Sequence, residues 1–251
     1  MLEEEMDRIN DIFDKMDNWR NLPKYQLERR SDLFFAIYLK EVLEAKFGIL
    51  LKDQIIPEFP IHKKTIKLAS SGEESCNVDF VAFANDNSKC FFEELKTDNA
   101  SKRDKQDKYL ADAKSVGLKP LILSLKNIFL ATKQKQKYFN LFKMLDEVGV
   151  VTLDPKLQIK LFSSHRQGAS ELIRGIDCEI CELNEINIVY ILPGRTKASV
   201  KLSQGNNTII YFEEFSELIS EDDDAITNRF RQSLKKWSET VAGDLAYHSD
   251  T

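Results

Sequence analysis

Two apolar runs, 78–84 and 90–97, flank the polar turn Asn85-Asp86-Asn87-Ser88. Turn residues between two strand-length runs rich in β-branched and aromatic side chains predict a β-hairpin. The pattern is unusual in one respect. Asp79 lies in the first run, and Glu94 and Lys96 lie in the second, where alternation would bury some of them. Glu94 and Lys96 share one face of their strand while Leu95 takes the other. A hairpin can bring Asp79 beside Glu94.

Two carboxylates about 4 Å apart repel by roughly 4 kcal/mol at an effective dielectric near 20. A proton or a cation must then sit between them. Lys96 relieves part of the repulsion; a divalent ion relieves it fully, and hard Mg2+ prefers carboxylate oxygens. The competing account makes these residues solvated groups on the open face of the hairpin. Acid-x-Lys triplets are common here, at Glu44–Lys46, Glu94–Lys96, Asp112–Lys114 and Asp154–Lys156. Glu94–Lys96 alone among them falls in a predicted strand, and Phe92 shares its face.

Elsewhere the periodicity predicts helices over 1–20 and 31–47, the latter closed by Gly48. QIIPEFPI, 54–61, reads as an extended segment whose two prolines suit an edge or irregular strand. A helix over 102–116 follows the hairpin, with Gly117 as its stop. PLILSL, 120–125, is expected as a buried strand, and 133–147 as a helix. VGVVTL, 148–153, is the next expected strand. GIDCEICEL, INIVYIL, ASVKL and NTIIYF are four further strand candidates. Ile226, Phe230, Leu234, Trp237 and Val241 mark a closing helix. The sum is a mixed α/β fold with an N-terminal helix (1–27), a core domain (28–160) and a C-terminal α+β extension or small second domain (161–251).

An Asp on one strand, Glu-x-Lys on the next and a basic helix after them, all preceded by a long helix, resemble the PD-(D/E)xK nuclease superfamily. The matching residues are Asp79, Glu94 and Lys96, and the resemblance spans about residues 28–155. Val78 stands where the family carries proline before its first acid. The resemblance implies a restriction-endonuclease-like core, with a mixed central sheet flanked by helices. It implies acids that hold Mg2+, with Mn2+ able to substitute, and a lysine that positions or activates the attacking water. The implied activity is metal-dependent hydrolysis of phosphodiesters in nucleic acid, DNA rather than RNA. Members that cut two strands often do so as homodimers; no coiled-coil pattern announces one here. Some members have lost catalysis, so an inactive nucleic-acid-binding or protein-interaction module of the same fold is the alternative.

Supporting residues carry two accounts each. Gln106 falls on the apolar stripe of the helix over 102–116, like the glutamine of some family members; it either contacts a phosphate beside Lys96 or ends a half-exposed first turn. Related nucleases often supply an extra acid from the first long helix, and helical phase favours Glu41 over Glu44 as that metal ligand. Residues 99–143 hold eleven Lys/Arg against three Asp/Glu, a local +8 in a chain of net charge −5. Lys102, Arg103 and Lys105 open this run, which could track a nucleic-acid backbone or form solvated helix faces. The opposite extreme, EEFSELISEDDD at 213–224, has seven acids and no base.

Other chemistries find little support. Cys178-Glu-Ile-Cys181 is half a zinc site with no second pair. No glycine-rich phosphate loop is present. Four cysteines suit a reducing compartment, the acidic start lacks signal-peptide character, and no apolar run approaches the roughly 20 residues that span a membrane. The expectation is a cytoplasmic protein without a membrane partner.

Overall fold

The computed structural model describes residues 2–68, 74–98, 104–157, 159, 167–177, 185–195, 199, 206–220 and 224–247. In chain order the elements are α1 (Leu2–Trp19), α2 (Glu28–Phe47), β1 (Ile56–His62), β2 (Ser75–Phe83) and β3 (Cys90–Leu95). Next come α3 (Asp104–Val116), α4 (Leu118–Ala131), α5 (Lys135–Glu147) and α6 (Gln167–Gly175). The chain closes with β4 (Ile186–Leu192), β5 (Thr208–Tyr211), α7 (Phe212–Leu218) and α8 (Ala225–Tyr247). The strands form one mixed, open sheet of five in the order β1–β2–β3–β4–β5. The fold is therefore α/β. No helix among the described residues is long and apolar enough to cross a membrane.

By compactness the chain divides into two units, and both draw on stretches far apart in sequence. One comprises Met1–Ile49, Glu94–Lys102 and Val189–Thr251; the other comprises Leu50–Glu93 and Arg103–Ile188.

In the second unit β1, β2 and the start of β3 form an antiparallel meander. Phe59 lies opposite Val78, and Phe80 opposite Glu93. The hairpin turn is held locally. Ser88 N–H donates to Asp86 Oδ1 at 2.9 Å, and Asn87 takes a left-handed φ of 58°, which asparagine tolerates well. Helix α4 packs on β1 and contacts α3, α5 and α6.

Two expected strands are not strands. PLILSL belongs to α4, because Leu118, Leu121, Ile122, Leu125, Ile128 and Phe129 recur at helical spacing and are all buried. Gly117 (φ 86°) separates this helix from α3, its N–H closing α3 on Ala113 O at 3.0 Å. Pro120 then falls in the first turn of α4, where a missing N–H costs nothing. VGVVTL instead ends α5. Gly149 is left-handed (φ 68°), its N–H donates to Asp146 O and Val150 N–H to Leu145 O, both at 2.8 Å. That pair of bonds is a Schellman cap. Val150 and Val151 are buried behind it rather than paired in a run of strand. The strand expected around Cys178 and the Cys178/Cys181 pair lie outside the described residues, as does ASVKL apart from Ser199.

In the first unit α1, α2, α7 and α8 assemble around aromatic rings. Phe230 of α8 meets Phe13 (6.2 Å between centroids), Phe34 (5.8 Å), Phe35 (5.2 Å), Tyr38 (5.6 Å), Phe215 (6.5 Å) and Trp237 (6.3 Å). β4 and β5 pair in parallel, Val189 opposite Thr208.

A polar network ties α1 to α8. Asp17 accepts from Arg229 Nη2 (2.9 Å), Trp237 Nε1 (2.9 Å) and Lys236 Nζ (3.1 Å). Burial alone would raise the Asp17 pKa, but hydrogen bonds from Arg229, Ser233 and Lys236 outweigh it and hold the carboxyl below its ordinary value. A lowered carboxyl stabilises the fold above its unfolded pKa of about 3.9, and that contribution is lost as pH falls through the folded value. Asp17→Asn should therefore lower unfolding free energy at pH 7 by about 2 kcal/mol. It should also flatten the acid limb of a stability-against-pH curve below about pH 4, measured from urea midpoints.

Candidate active site

Strand β3, Cys-Phe-Phe-Glu-Glu-Leu, is buried at every position. Two adjacent acids in such a strand point to opposite faces, and each needs its own compensation. They find it in different ways.

In the first unit, Glu94 is fully buried and Lys96 is only 7% exposed. Lys96 Nζ donates to Glu94 Oε1 at 2.7 Å and to the Leu95 carbonyl at 2.8 Å. The same ammonium lies 3.8 Å from Glu28 Oε2. Glu28 is the first residue of α2, where the positive end of the helix dipole favours an acid. The strand end itself is anchored where Lys96 N–H donates to Ile191 O at 2.9 Å. Two carboxylates thus converge on one cation. The arrangement is a buried ion pair with a second, more distant acid, which compensates the charge of Glu94 inside the protein. Among the described residues no group of three or more His, Cys, Asp or Glu side chains gathers as a metal site.

Glu28 was not singled out by the sequence. Its signal was available: an acid in the first turn of a helix that follows the loop containing Asn21-Leu22-Pro23. Glu41, chosen from the same helix, lies 13 residues on, about 20 Å along the axis at 1.5 Å per residue. Its carboxylate accepts from the Ser220 N–H.

In the second unit, Asp79 lies half-buried on β2. The register that pairs Phe80 with Glu93 places Glu93 on the meander. Glu93 is fully buried, and among the described residues neither carboxyl oxygen has a hydrogen-bond partner. Burial, reinforced by the charge of Asp79, pushes its pKa well up, so the neutral acid is favoured. Burial and Glu93 together push the Cys90 thiol up as well, which suits packing rather than nucleophilic chemistry.

Gln106 is half-buried on α3. Lys102 and Arg103 lie outside the described residues, and of Lys105 only the backbone, in the first turn of α3, is described. The later part of the basic run has structural partners. Lys126 donates to Ile176 O (2.8 Å) and Arg174 O (3.1 Å), and Lys135 donates to Leu130 O (2.8 Å) at the end of α4. Lys108 pairs with Asp112 and Lys143 with Glu147 one helical turn on. These contacts favour the solvated or capping account for that part of the run.

No family model, curated protein or solved structure matches the chain. The functional reading therefore rests on the site and the sequence motif alone.

Proposed function

We propose that this chain is a metal-dependent nuclease of the PD-(D/E)xK type, hydrolysing phosphodiesters of nucleic acid, with DNA the favoured substrate. The observation that carries it is the buried Glu94–Lys96 pair at 2.7 Å, facing a second acid, Glu28, across one ammonium. A buried carboxylate two residues from a buried lysine in a strand is costly unless both are used or strictly paired. The architecture suits the restriction-endonuclease-like core. A long helix precedes an antiparallel β1–β2–β3 meander, helices follow, and β4 and β5 run parallel.

In this reading Glu94 is the acid of its unit that would hold Mg2+, with Mn2+ able to replace it, and Glu28 takes the helix position first expected of Glu41. Asp79 enters on the sequence motif. Bound Mg2+ supplies charge relief on the phosphoryl oxygens and a more acidic water. Lys96, with three donors on a short tether to Glu94, steadies the developing negative charge. Gln106 and the basic residues Lys102, Arg103 and Lys105 serve as phosphate contacts.

A second reading has its own observation. Lys96 already neutralises Glu94, and no three-ligand group gathers among the described residues. Both suit a module that keeps the fold and binds nucleic acid or protein without cutting. Incubation with end-labelled duplex, single-stranded and branched DNA and with RNA decides between them. Cleavage that requires Mg2+ or Mn2+ and stops in EDTA is the expected result. No cleavage of any substrate, with intact binding, would hand the case to the second reading.

A further inference from the structure

The second unit holds an open cleft of about 460 Å3 that takes no wall from β3. Small-molecule sites run from roughly 300 to 1,000 Å3. Its walls are Lys63, Glu74 and Ser75 at one end of the β1–β2 pair, the last turn of α4 with Thr132 after it, and Tyr138 of α5. Ile128 and the Tyr138 ring are its apolar part. Burial raises the Tyr138 pKa and a hydrogen bond with Ser75 offsets part of the rise, so the phenol is neutral at pH 7. Thr132 Oγ1 accepts from Gln134 N–H at 3.1 Å and carries its own O–H donor. Lys63 Nζ donates to Glu74 Oε2 at 2.8 Å, which sets a donor and an acceptor side by side. Their side chains are 29% and 46% exposed, and a pair so exposed is weakly held and opens to a ligand at small cost.

This lining disfavours a simple anion, which Glu74 repels, and a purely apolar ligand, which would strip water from the ion pair and the hydroxyls. It suits a flat aromatic ring with donors and acceptors on its edge. Exposed lysines stand next in the chain to three lining residues, about 3.8 Å on along the backbone: Lys64 beside Lys63, Lys133 beside Thr132 and Lys137 beside Tyr138. They add positive charge next to walls whose own ion pair sums to zero. We propose that the cleft binds one unpaired nucleotide, its base against Tyr138 and Ile128, its edge on Lys63 and Glu74, and its phosphate toward these lysines. Base-on-aromatic contact supplies the affinity, and the edge supplies the preference. Guanine fits best, because N1–H and N2–H meet the two carboxylate oxygens while O6 meets the ammonium; adenine offers Glu74 one amino group only. In a duplex that edge is paired and stacked, so the cleft selects single strands or free nucleotides. The proposal goes beyond the nuclease reading and needs no metal.

The test titrates the full chain in EDTA, where the proposed cleavage is off. The probes are GMP and AMP, followed by calorimetry, and a fluorescein-labelled guanine-containing single strand of about 12 nucleotides with its duplex, followed by anisotropy. The single strand should bind more tightly than the duplex, and GMP more tightly than AMP. Tyr138→Ala should weaken the single strand by about tenfold, while Tyr138→Phe, which keeps the ring, should bind nearly as well as the wild type. Binding of GMP with no gain from the strand identifies a free nucleotide as the source and supports the same site. Binding of neither probe, a preference for duplex, or a Tyr138→Ala protein that binds like the wild type overturns the proposal. Should Tyr138→Ala fail to fold, Glu74→Gln decides, since it alters an exposed pair: the preference for GMP over AMP should fall several-fold, and an unchanged preference overturns the proposal. Because no metal is present, failure here leaves the nuclease reading to its own cleavage assay. A protein that binds GMP and never cuts loses that reading and keeps this one.

Discussion

On the proposed nuclease reading, Glu94→Gln should lower Mg2+-dependent cleavage by about a thousandfold, equivalent to about 4 kcal/mol of transition-state stabilisation. Glutamine keeps the volume of a side chain with no exposed surface, so packing in β3 survives. One amide oxygen can still accept from Lys96, but the negative charge that would hold the ion is gone. Alanine is the poorer choice, because it strands Lys96 in a buried position and opens a cavity. Asp79→Ala should fall as far, with less risk to the fold, since Asp79 is half-buried. Circular dichroism shows whether each variant is folded, and gel shift shows whether DNA binding persists or tightens when an acid is removed near phosphate. A folded Glu94→Gln protein that cuts at the wild-type rate would remove Glu94 from the catalytic set.

Phe230→Ala should cost about 3–5 kcal/mol, among the largest losses a single core truncation gives. The ring meets six aromatic neighbours drawn from α1, α2, α7 and α8, and it is fully buried. A cavity bounded by rings on all sides cannot collapse without moving several helices at once. At roughly 2–4 °C per kcal/mol for a chain of this size, the melting midpoint should drop by about 10 °C. Calorimetry with the Phe34→Ala variant as a control separates cavity from area: Phe34 is only half-buried and should cost much less. A loss below about 1 kcal/mol for Phe230→Ala would mean the cluster repacks around the gap.

The sequence was most legible where period and punctuation agreed. The hairpin turn, the helix closed by Gly48 and the closing helix marked by Phe230, Leu234 and Trp237 all have side-chain spacing and end signals pointing the same way. It misled where a short apolar run was read without its continuation. PLILSL looks like a buried strand, but the pattern carries on through Ile128 and Phe129 into a helix buried over much of its surface. The valines at 148–151 have strand propensity, yet Gly149 turns the chain and they pack as the hydrophobic end of a helix cap.

The site divides in the same way. Glu94 and Lys96 were found because strand alternation puts residues two apart on one face, and their contact is the one the structure draws. Glu28 was passed over because its place in the first turn of α2 marks an acid the helix dipole favours but does not tell that it will meet a distant strand. Glu41 had the better helical phase but lies far along the axis. Glu93, next to the motif, was invisible for another reason: sequence gives no sign that both faces of a strand will be buried.

The first unit is sewn together from the two extremes of the chain, with Phe35 touching Phe212 and Phe215. On the ribosome those partners are about 180 residues apart, so at 5–20 residues per second roughly 10–35 s pass before α7 is even made. Throughout that interval α1 and α2 can meet only through Phe13 and Phe34, 4.8 Å apart, while Phe35 and Tyr38 lack their partners from α7 and α8. A nascent chain arrested before residue 212 should therefore be the species that holdase chaperones and proteases capture, well before any catalytic question arises.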